Sequence, residues 1–161
     1  RVKNLYDPSG KKISYYQVNA TFFSALGEDE QKLLLARAIQ MFMPGIPQVW
    51  YLDLFAGKNN YEAADKGGDA GHKEINRTTL TMADIEQGLK TAVVKNQLAI
   101  IRLRKTSNAF LGTVAIKDAF EDTIDIKWTN HTTTAHLQAN LKSYNFTIHH
   151  TENGITQKLS F

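Results

Sequence analysis

Arg77 is the residue whose type and position most directly suggest chemistry. It lies near the end of a long polar stretch, residues 58–81, which follows an apolar run at residues 49–54. The planar guanidinium of arginine can hold phosphate or hydroxyl groups through parallel hydrogen bonds. We therefore predict that Arg77 binds a ligand, and the alternative is a structural ion pair with Glu74 or another acidic neighbour. Asp53 could line the same site, although a loop-capping role is favoured.

The histidines do not predict a metal centre. Consecutive residues of a strand point to opposite faces, so His149 and His150 cannot easily bind one ion and are interpreted as surface residues. His72 is isolated and is given no metal or catalytic role. The sequence contains no cysteine, which excludes disulfides and thiolate metal sites. Three aspartates also lack the spacing of a calcium loop, namely Asp53, Asp65 and Asp69.

The composition is that of an ordinary globular protein. The chain has 161 residues, of which 42% are hydrophobic and 22% are charged. Its net charge of +3 is too small and too scattered to indicate nucleic-acid binding. No apolar run approaches membrane-spanning length. The chain begins with Arg, and its first methionine is Met41, which favours a fragment of a larger protein.

The apolar run at residues 49–54 organises the first two-thirds of the chain. It is bounded by proline and glycine residues, which predicts a strand buried on both faces, as in a parallel sheet covered by helices. Residues 58–81 then form a long loop at the carboxyl end of that strand, where parallel folds place their chemistry. Helices are predicted at 31–43, with apolar residues at helical spacing, and at 82–105, starting from the N-cap Thr81 and either continuous or broken near Gly88.

Other local patterns complete the expected elements. Asp7-Pro8-Ser9-Gly10 predicts a turn, and residues 15–23 an extended segment. After Gly112 apolar and polar residues alternate in short pieces, and Asn153-Gly154 is typical of a hairpin, so residues 112–161 predict an antiparallel β domain. A single buried parallel strand has no neighbours within this chain, which again indicates missing partners.

Five segments resemble the sucrose phosphorylases of the α-amylase-type glycoside hydrolase family. They occur in the order Gln17-Val18-Asn19-Ala20-Thr21, Ala36-Arg37-Ala38-Ile39-Gln40, Pro44-Gly45-Ile46-Pro47-Gln48-Val49-Trp50-Tyr51, Ala56-Gly57-Lys58-Asn59 and Glu74-Ile75-Asn76-Arg77. The resemblance implies an α+β fragment. Residues 1–111 would be the C-terminal part of a (β/α)8 catalytic barrel, with its last strand at 46–54 and flanking helices, and residues 112–161 the C-terminal antiparallel β domain.

The resemblance also implies an activity, that of a retaining glycoside phosphorylase. Such an enzyme converts sucrose and phosphate to glucose 1-phosphate and fructose by double displacement, and it needs a nucleophile, an acid/base and a third carboxylate. In this family those groups lie on earlier barrel strands, so the missing N-terminal barrel region is an expected partner and this chain alone is expected to be inactive. No cofactor is implied beyond inorganic phosphate as co-substrate. A cytoplasmic location, a possible homodimer and the absence of nucleic-acid and membrane partners are further expectations.

Three residues receive substrate-binding roles from the resemblance. Arg77 would bind the donor glucosyl unit, Gln17 the fructosyl part, and Tyr16 would face phosphate; for Gln17 and Tyr16 the alternative is packing of an aromatic extended segment. His72 and Lys73 replace a more usual Gly-Arg, which suggests an altered acceptor region. Two alternative functions remain open. One is a sucrose 6'-phosphate phosphorylase, and the other is a non-catalytic β module that binds carbohydrate or protein.

Overall fold

The chain divides into two compact units. The computed structural model describes residues 2–117 and 121–161, with the side chains of residues 2, 3, 15–17, 69, 70 and 160 outside the description. The first unit comprises Arg1–Asp29 and Val49–Lys90, and the second comprises Glu30–Gln48 and Thr91–Phe161. None of the helices in the described residues is long and apolar enough to cross a membrane.

The secondary structure combines short helices with two antiparallel sheets. The α-helices of the described residues are α1 Phe22–Ala25, α2 Glu30–Phe42, α3 Tyr51–Leu54, α4 Tyr61–Lys66, α5 Met82–Gly88 and α6 Ala92–Thr106. Two 3-10 helices span Gly68–Asn76 and Asn108–Leu111. The strands are β1 Val2–Tyr6, β2 Lys12–Val18, β3 Thr113–Ile116, β4 Thr123–Asn130, β5 Thr133–Asn140, β6 Phe146–Glu152 and β7 Ile155–Ser160.

The first unit opens with the hairpin of β1 and β2, closed by the predicted turn. A side-chain oxygen of Asp7 accepts hydrogen bonds from the backbone N–H groups of Ser9 and Lys11, both at 2.9 Å. Gly10 has a φ of 83°, a conformation that glycine adopts without strain. The extended prediction for residues 15–23 holds as far as Val18, and helix α1 follows it.

The predicted buried strand at residues 49–54 is wrong. Helix α3 occupies Tyr51–Leu54, and the described residues place no strand between residues 46 and 54. Only Leu52 of the run is buried, while Trp50 and Tyr51 are 49% and 38% exposed. A short apolar run fits a strand or a helical turn equally well, and a strand also needs a neighbouring strand to pair with.

The predictions for residues 58–81 and 82–105 have different outcomes. The stretch 58–81 is no structureless loop, because α4 and the 3-10 helix Gly68–Asn76 occupy most of it. The helical pattern 82–105 is two helices, α5 and α6, separated after Gly88 as expected. Thr81 caps α5 as predicted: its hydroxyl accepts from the Asp84 backbone at 3.2 Å, and the Asp84 side chain accepts from the Thr81 backbone at 2.8 Å.

The second unit packs α2 and α6 with a five-stranded antiparallel sheet in the order β3-β4-β5-β6-β7. Helix α2 matches the predicted 31–43 to within a residue. The inner face of the sheet carries the buried residues Ile126, Trp128, Ala135, Leu137, Ala139, Phe146 and Ile148. Trp128 Nε1 donates to the carbonyl of Phe42 at 2.7 Å, which ties β4 to the end of α2.

The alternation after Gly112 is confirmed as this sheet. Asn153 and Gly154 connect β6 to β7 with φ values of 51° and 76°, the positive pair that a two-residue hairpin loop requires. The α+β class and the antiparallel sheet are thus confirmed. The described residues contain no parallel strand pair, so a remnant of a barrel is not shown.

Candidate functional site

Four of the five family-like segments have residues that meet in the first unit through side-chain hydrogen bonds, the fourth through Trp50. The side-chain oxygen of Asn59 accepts from the backbone N–H of Thr21 at 2.8 Å, and the Asn59 backbone N–H donates to the Ser24 hydroxyl at 3.0 Å. The Asn76 amide donates to the carbonyl of Ala20 at 3.3 Å. Because these partners are 35 to 56 residues apart in sequence, the segments form one cluster that local structure alone would not build.

Asp53 caps the start of helix α1. One of its carboxylate oxygens accepts from the backbone N–H of Phe22, the first residue of the helix, at 2.8 Å. The hydroxyl of the N-cap residue Thr21 accepts from Ser24 at 3.2 Å, so two of the otherwise unpaired N–H groups of the first turn are satisfied. The capping role favoured from sequence for Asp53 is confirmed.

Trp50 and Tyr51 fix the backbone on both sides of Arg77. The indole N–H of Trp50 donates to the carbonyl of Asn76 at 3.0 Å, and the Tyr51 hydroxyl donates to the carbonyl of Thr78 at 2.6 Å. The two rings also contact each other, with centroids 4.8 Å apart. Hydrogen bonds to the carbonyls on both sides of Arg77 restrict the position of its Cα, which favours a well-defined direction for its side chain.

The Arg77 guanidinium is more than half exposed. Its side chain is 53% exposed, and Nη1 lies 3.9 Å from an oxygen of Glu74, beyond hydrogen-bond distance. Ion pairs between exposed side chains contribute about 0–1 kcal/mol. The sequence alternative for Arg77, an ion pair with Glu74, is therefore present but weak, and the half-exposed side chain is accessible to a ligand from solvent.

The nearby exposed ion pair of Lys58 with Glu28 is structural. Their charged atoms are 2.5 Å apart, and the hydrogen bond from Lys58 lowers the pKa of Glu28. Other carboxylates with contacts serve turns, caps or ion pairs as well, namely Asp7, Asp53, Glu62, Glu74, Asp84, Asp122 and Asp125. These contacts leave none of the named carboxylates in the paired arrangement that glycoside chemistry uses.

The structure does not test the substrate-binding role of any predicted site residue, so that of Arg77 also stays a prediction. Tyr16 and Gln17 belong to β2, but their side chains lie outside the described residues, so their phosphate and fructosyl roles stay predictions. His72 and Lys73 lie in the 3-10 helix Gly68–Asn76 rather than in a loop.

The predicted opposite orientation of His149 and His150 is confirmed, but the interpretation of both as surface residues is wrong for His150, which is half-buried on the inner face of the sheet. His149 lies opposite His136 on the outer face of the sheet, whereas His150 lies opposite Ala135 and its ring contacts the Ser107 hydroxyl at 2.8 Å. Within the described part of the chain, no group of three or more His, Asp or Glu side chains could hold a metal ion.

Asn59, Trp50 and Tyr51 are the residues that sequence reasoning missed. All three were part of quoted motifs, but Trp50 and Tyr51 were assigned to a buried strand, and Asn59 was given no role. Their hydrogen-bond partners lie far away in the sequence. The only signal available from sequence was therefore that each of the three residues belongs to a family-like segment.

Comparison with known proteins finds similarity to sucrose phosphorylases and sucrose 6(F)-phosphate phosphorylases. No protein-family model matches it. A sucrose 6(F)-phosphate phosphorylase of Ilumatobacter coccineus is 55% identical over 161 residues, which is 100% of this chain and 31% of that protein. A sucrose phosphorylase of Bifidobacterium adolescentis is 37% identical over 129 residues, covering 80% of this chain and 25% of that protein.

A solved structure gives the same match. The crystal structure of sucrose 6F-phosphate phosphorylase from Thermoanaerobacter thermosaccharolyticum superposes with a TM-score of 0.89 at 36% identity, covering 100% of this chain and 33% of that one. The predicted resemblance to sucrose phosphorylases is therefore confirmed over the whole chain. The chain spans about a third of the length of the relatives it matches.

Proposed function

We propose that the chain is the C-terminal part of a retaining glucosyl phosphorylase that cleaves sucrose-type glucosides with phosphate. The observation that carries the proposal is the 55% identity over all 161 residues to a protein named for that reaction class. Similarity across both units, rather than over the β domain alone, argues against a free-standing binding module. In the whole protein, residues 1–111 would complete a (β/α)8 catalytic barrel in the cytoplasm, and residues 112–161 would form the β domain.

In this proposal the chain supplies substrate binding rather than bond cleavage. A carboxylate outside this chain would attack the glucosyl C1 and release the fructosyl group, and a phosphate oxygen would then attack the same carbon to give glucose 1-phosphate. Among the described residues, the carboxylates named above serve caps, turns and ion pairs, which supports a location of the catalytic trio elsewhere. The chain alone would therefore be inactive, and the covalent intermediate requires no organic cofactor.

Arg77 is the proposed contact to the glucosyl unit. Its backbone is held from both sides by Trp50 and Tyr51, and its guanidinium is 53% exposed with a single long ion-pair contact to Glu74. A backbone held in place that carries an exposed guanidinium is the arrangement that gives directional hydrogen bonds to sugar hydroxyls. Tyr16 and Gln17 are proposed, from the family resemblance alone, to face phosphate and the fructosyl group.

Two substrates are candidates. Sucrose is the substrate predicted from sequence. Sucrose 6F-phosphate is favoured by a specific observation, because the 55% identical relative and the solved structure both carry that substrate in their names.

The test compares catalytic efficiencies of the longer protein containing this chain. Phosphorolysis of sucrose and of sucrose 6F-phosphate is followed by coupled detection of glucose 1-phosphate at equal enzyme concentration. A ratio of kcat/KM at least about tenfold in favour of the phosphorylated sugar, equivalent to about 1.4 kcal/mol, supports sucrose 6F-phosphate. A ratio near one or in favour of sucrose removes that candidate, and no glucose 1-phosphate from either sugar removes the proposal.

A further inference from the structure

The outer face of the five-stranded sheet carries a row of basic side chains. Lys127, His136, His149 and Lys158 lie directly opposite one another on β4, β5, β6 and β7. Residues opposite each other on adjacent strands share a face and lie about 5 Å apart, so the row spans about 15 Å. Three of the four are half-buried and Lys158 is exposed.

Threonines border this row on one side. Opposite positions two residues along the strands are occupied by Thr129, Thr134, Thr151 and Thr156. The Thr151 and Thr156 hydroxyls are 2.9 Å apart. Hydroxyl groups next to ammonium and imidazole groups add donors for an anion held by the row.

A groove of about 440 Å³ borders the row on its other side. Its polar lining comes from β4, β5, β6 and the turn before β6, and consists of Thr123, Asp125, Gln138, Asn140, Asn145 and Thr147. The groove is also lined by the apolar residues Ile124, Ala139 and Phe146. A volume of this size lies within the range of small-molecule sites. The amide, hydroxyl and carboxylate groups of this lining suit a polyhydroxyl ligand better than an anion, and Lys117 lies 3.9 Å from Asp125 at its border.

Asp125 links the two features without cancelling the positive charge. One oxygen contacts His136 Nε2 at 2.8 Å, and the other accepts from the Gln138 amide at 3.2 Å and lies 3.9 Å from Lys117. Both carboxylate oxygens are therefore engaged within the sheet. Lys127 and Lys158 leave the row positively charged even with neutral histidines, which matches an anionic group.

The spacing of the groove and the row fits one ligand class. Gln138 of the groove and His136 of the row are two residues apart on β5, which corresponds to about 7 Å along the strand. A ligand with a hexose ring in the groove would place a phosphate substituent over the row. We propose that this face of the sheet binds a hexose phosphate, with the ring held beside Gln138 and the phosphate by Lys127, His149 and Lys158. The proposal goes beyond the proposed function and does not depend on it.

The test is isothermal titration calorimetry on the longer protein that contains this chain, with glucose 6-phosphate, glucose and inorganic phosphate. Binding that remains in the Lys127→Ala/Lys158→Ala double variant is subtracted as binding elsewhere in that protein. We expect saturable binding of glucose 6-phosphate, with glucose and phosphate alone each at least about tenfold weaker. Lys127→Ala and Lys158→Ala should each weaken the affinity for glucose 6-phosphate about two- to fivefold, because Lys158 is exposed and Lys127 is only half-buried. Both variants should leave the affinity for glucose unchanged. Gln138→Ala should weaken the affinity for both glucose 6-phosphate and glucose. The matched control is Lys105→Ala, which removes an exposed lysine of α6.

Several outcomes would overturn the proposal. They are no saturation up to about 50 mM, phosphate alone binding as tightly as the sugar phosphate, or unchanged affinity in the Lys127→Ala/Lys158→Ala double variant. Circular dichroism checks each variant, and Lys→Gln replaces any alanine variant that loses its sheet signal. Hydrogen exchange on the same samples must show ligand protection in β5 and β6, and protection found only elsewhere also overturns the proposal. Because the titration needs no turnover, its failure is distinguishable from failure of the proposed activity.

Discussion

Replacing Arg77 by alanine in the longer protein separates a ligand-binding role from a structural one. A charge-assisted hydrogen bond from a fixed guanidinium to a sugar hydroxyl contributes about 1.5–3 kcal/mol. At about 1.4 kcal/mol per tenfold change, Arg77→Ala should lower kcat/KM by about one to two orders of magnitude. The effect on the free energy of unfolding should stay within about 1 kcal/mol, because the side chain is 53% exposed and its ion-pair contact to Glu74 is 3.9 Å long.

Three further variants sharpen this test. Arg77→Lys should restore activity only in part, since an ammonium group cannot reproduce the planar fork. Glu74→Ala removes the ion-pair partner and should leave kcat/KM near its original value. Arg102→Ala, which removes an exposed arginine of α6, is the control for loss of charge. The assays are initial rates of glucose 1-phosphate release and thermal unfolding, and an Arg77→Ala protein with lowered Tm but normal kinetics would refute the reasoning.

Other predictions concern the surroundings of the site and the sheet. Asp53→Ala should lower the free energy of unfolding by about 0.5–2 kcal/mol through loss of the helix cap, and Asp53→Asn should lower it less. If denaturant titrations show that Asp53→Ala is as stable as the unmodified protein, the capping role is contradicted. Trp50→Phe keeps an aromatic ring but loses the bond next to Arg77, so kcat/KM should fall less than in Arg77→Ala, and a larger fall would count against positioning. Burial raises the pKa of Asp125, but hydrogen bonds from His136 and Gln138 outweigh it and hold the pKa below its usual value. A carboxyl whose pKa is lower in the folded state adds stability above about pH 4, and this stability is lost as the pH falls further. Asp125→Asn should therefore lower the free energy of unfolding at pH 7 and lower it progressively less below about pH 4. A loss of free energy that does not change with pH would contradict this.

The parts of the fold that local chemistry determines were predictable from sequence. Asn153 and Gly154 predict their hairpin because a two-residue loop needs two positive φ values. The 3.6-residue spacing of apolar side chains gives α2, and the Thr81–Asp84 pair gives the start of α5. In each case, residues close together in the sequence determine the local backbone conformation or form the local hydrogen bonds.

The parts that depend on distant partners were not predictable. The run 49–54 is apolar enough for a strand, yet Trp50 and Tyr51 use their polar atoms to bind carbonyls 26 and 27 residues away. The Asn59 contact to Thr21 spans 38 residues. No local pattern distinguishes an aromatic side chain that packs in a sheet from one that holds a distant loop. The sequence could therefore single out Arg77 as a candidate, but it could not identify the residues that support it.

The most direct test of the central claim compares the longer protein with this chain in one assay. Both purified proteins are incubated with phosphate and either sucrose or sucrose 6F-phosphate, and glucose 1-phosphate is measured over time. If the chain is the substrate-binding C-terminal part of a glucosyl phosphorylase, the longer protein releases glucose 1-phosphate and the 161-residue chain releases none above a heat-treated control. Turnover by the chain alone, or no product from the longer protein with either sugar, would contradict the account.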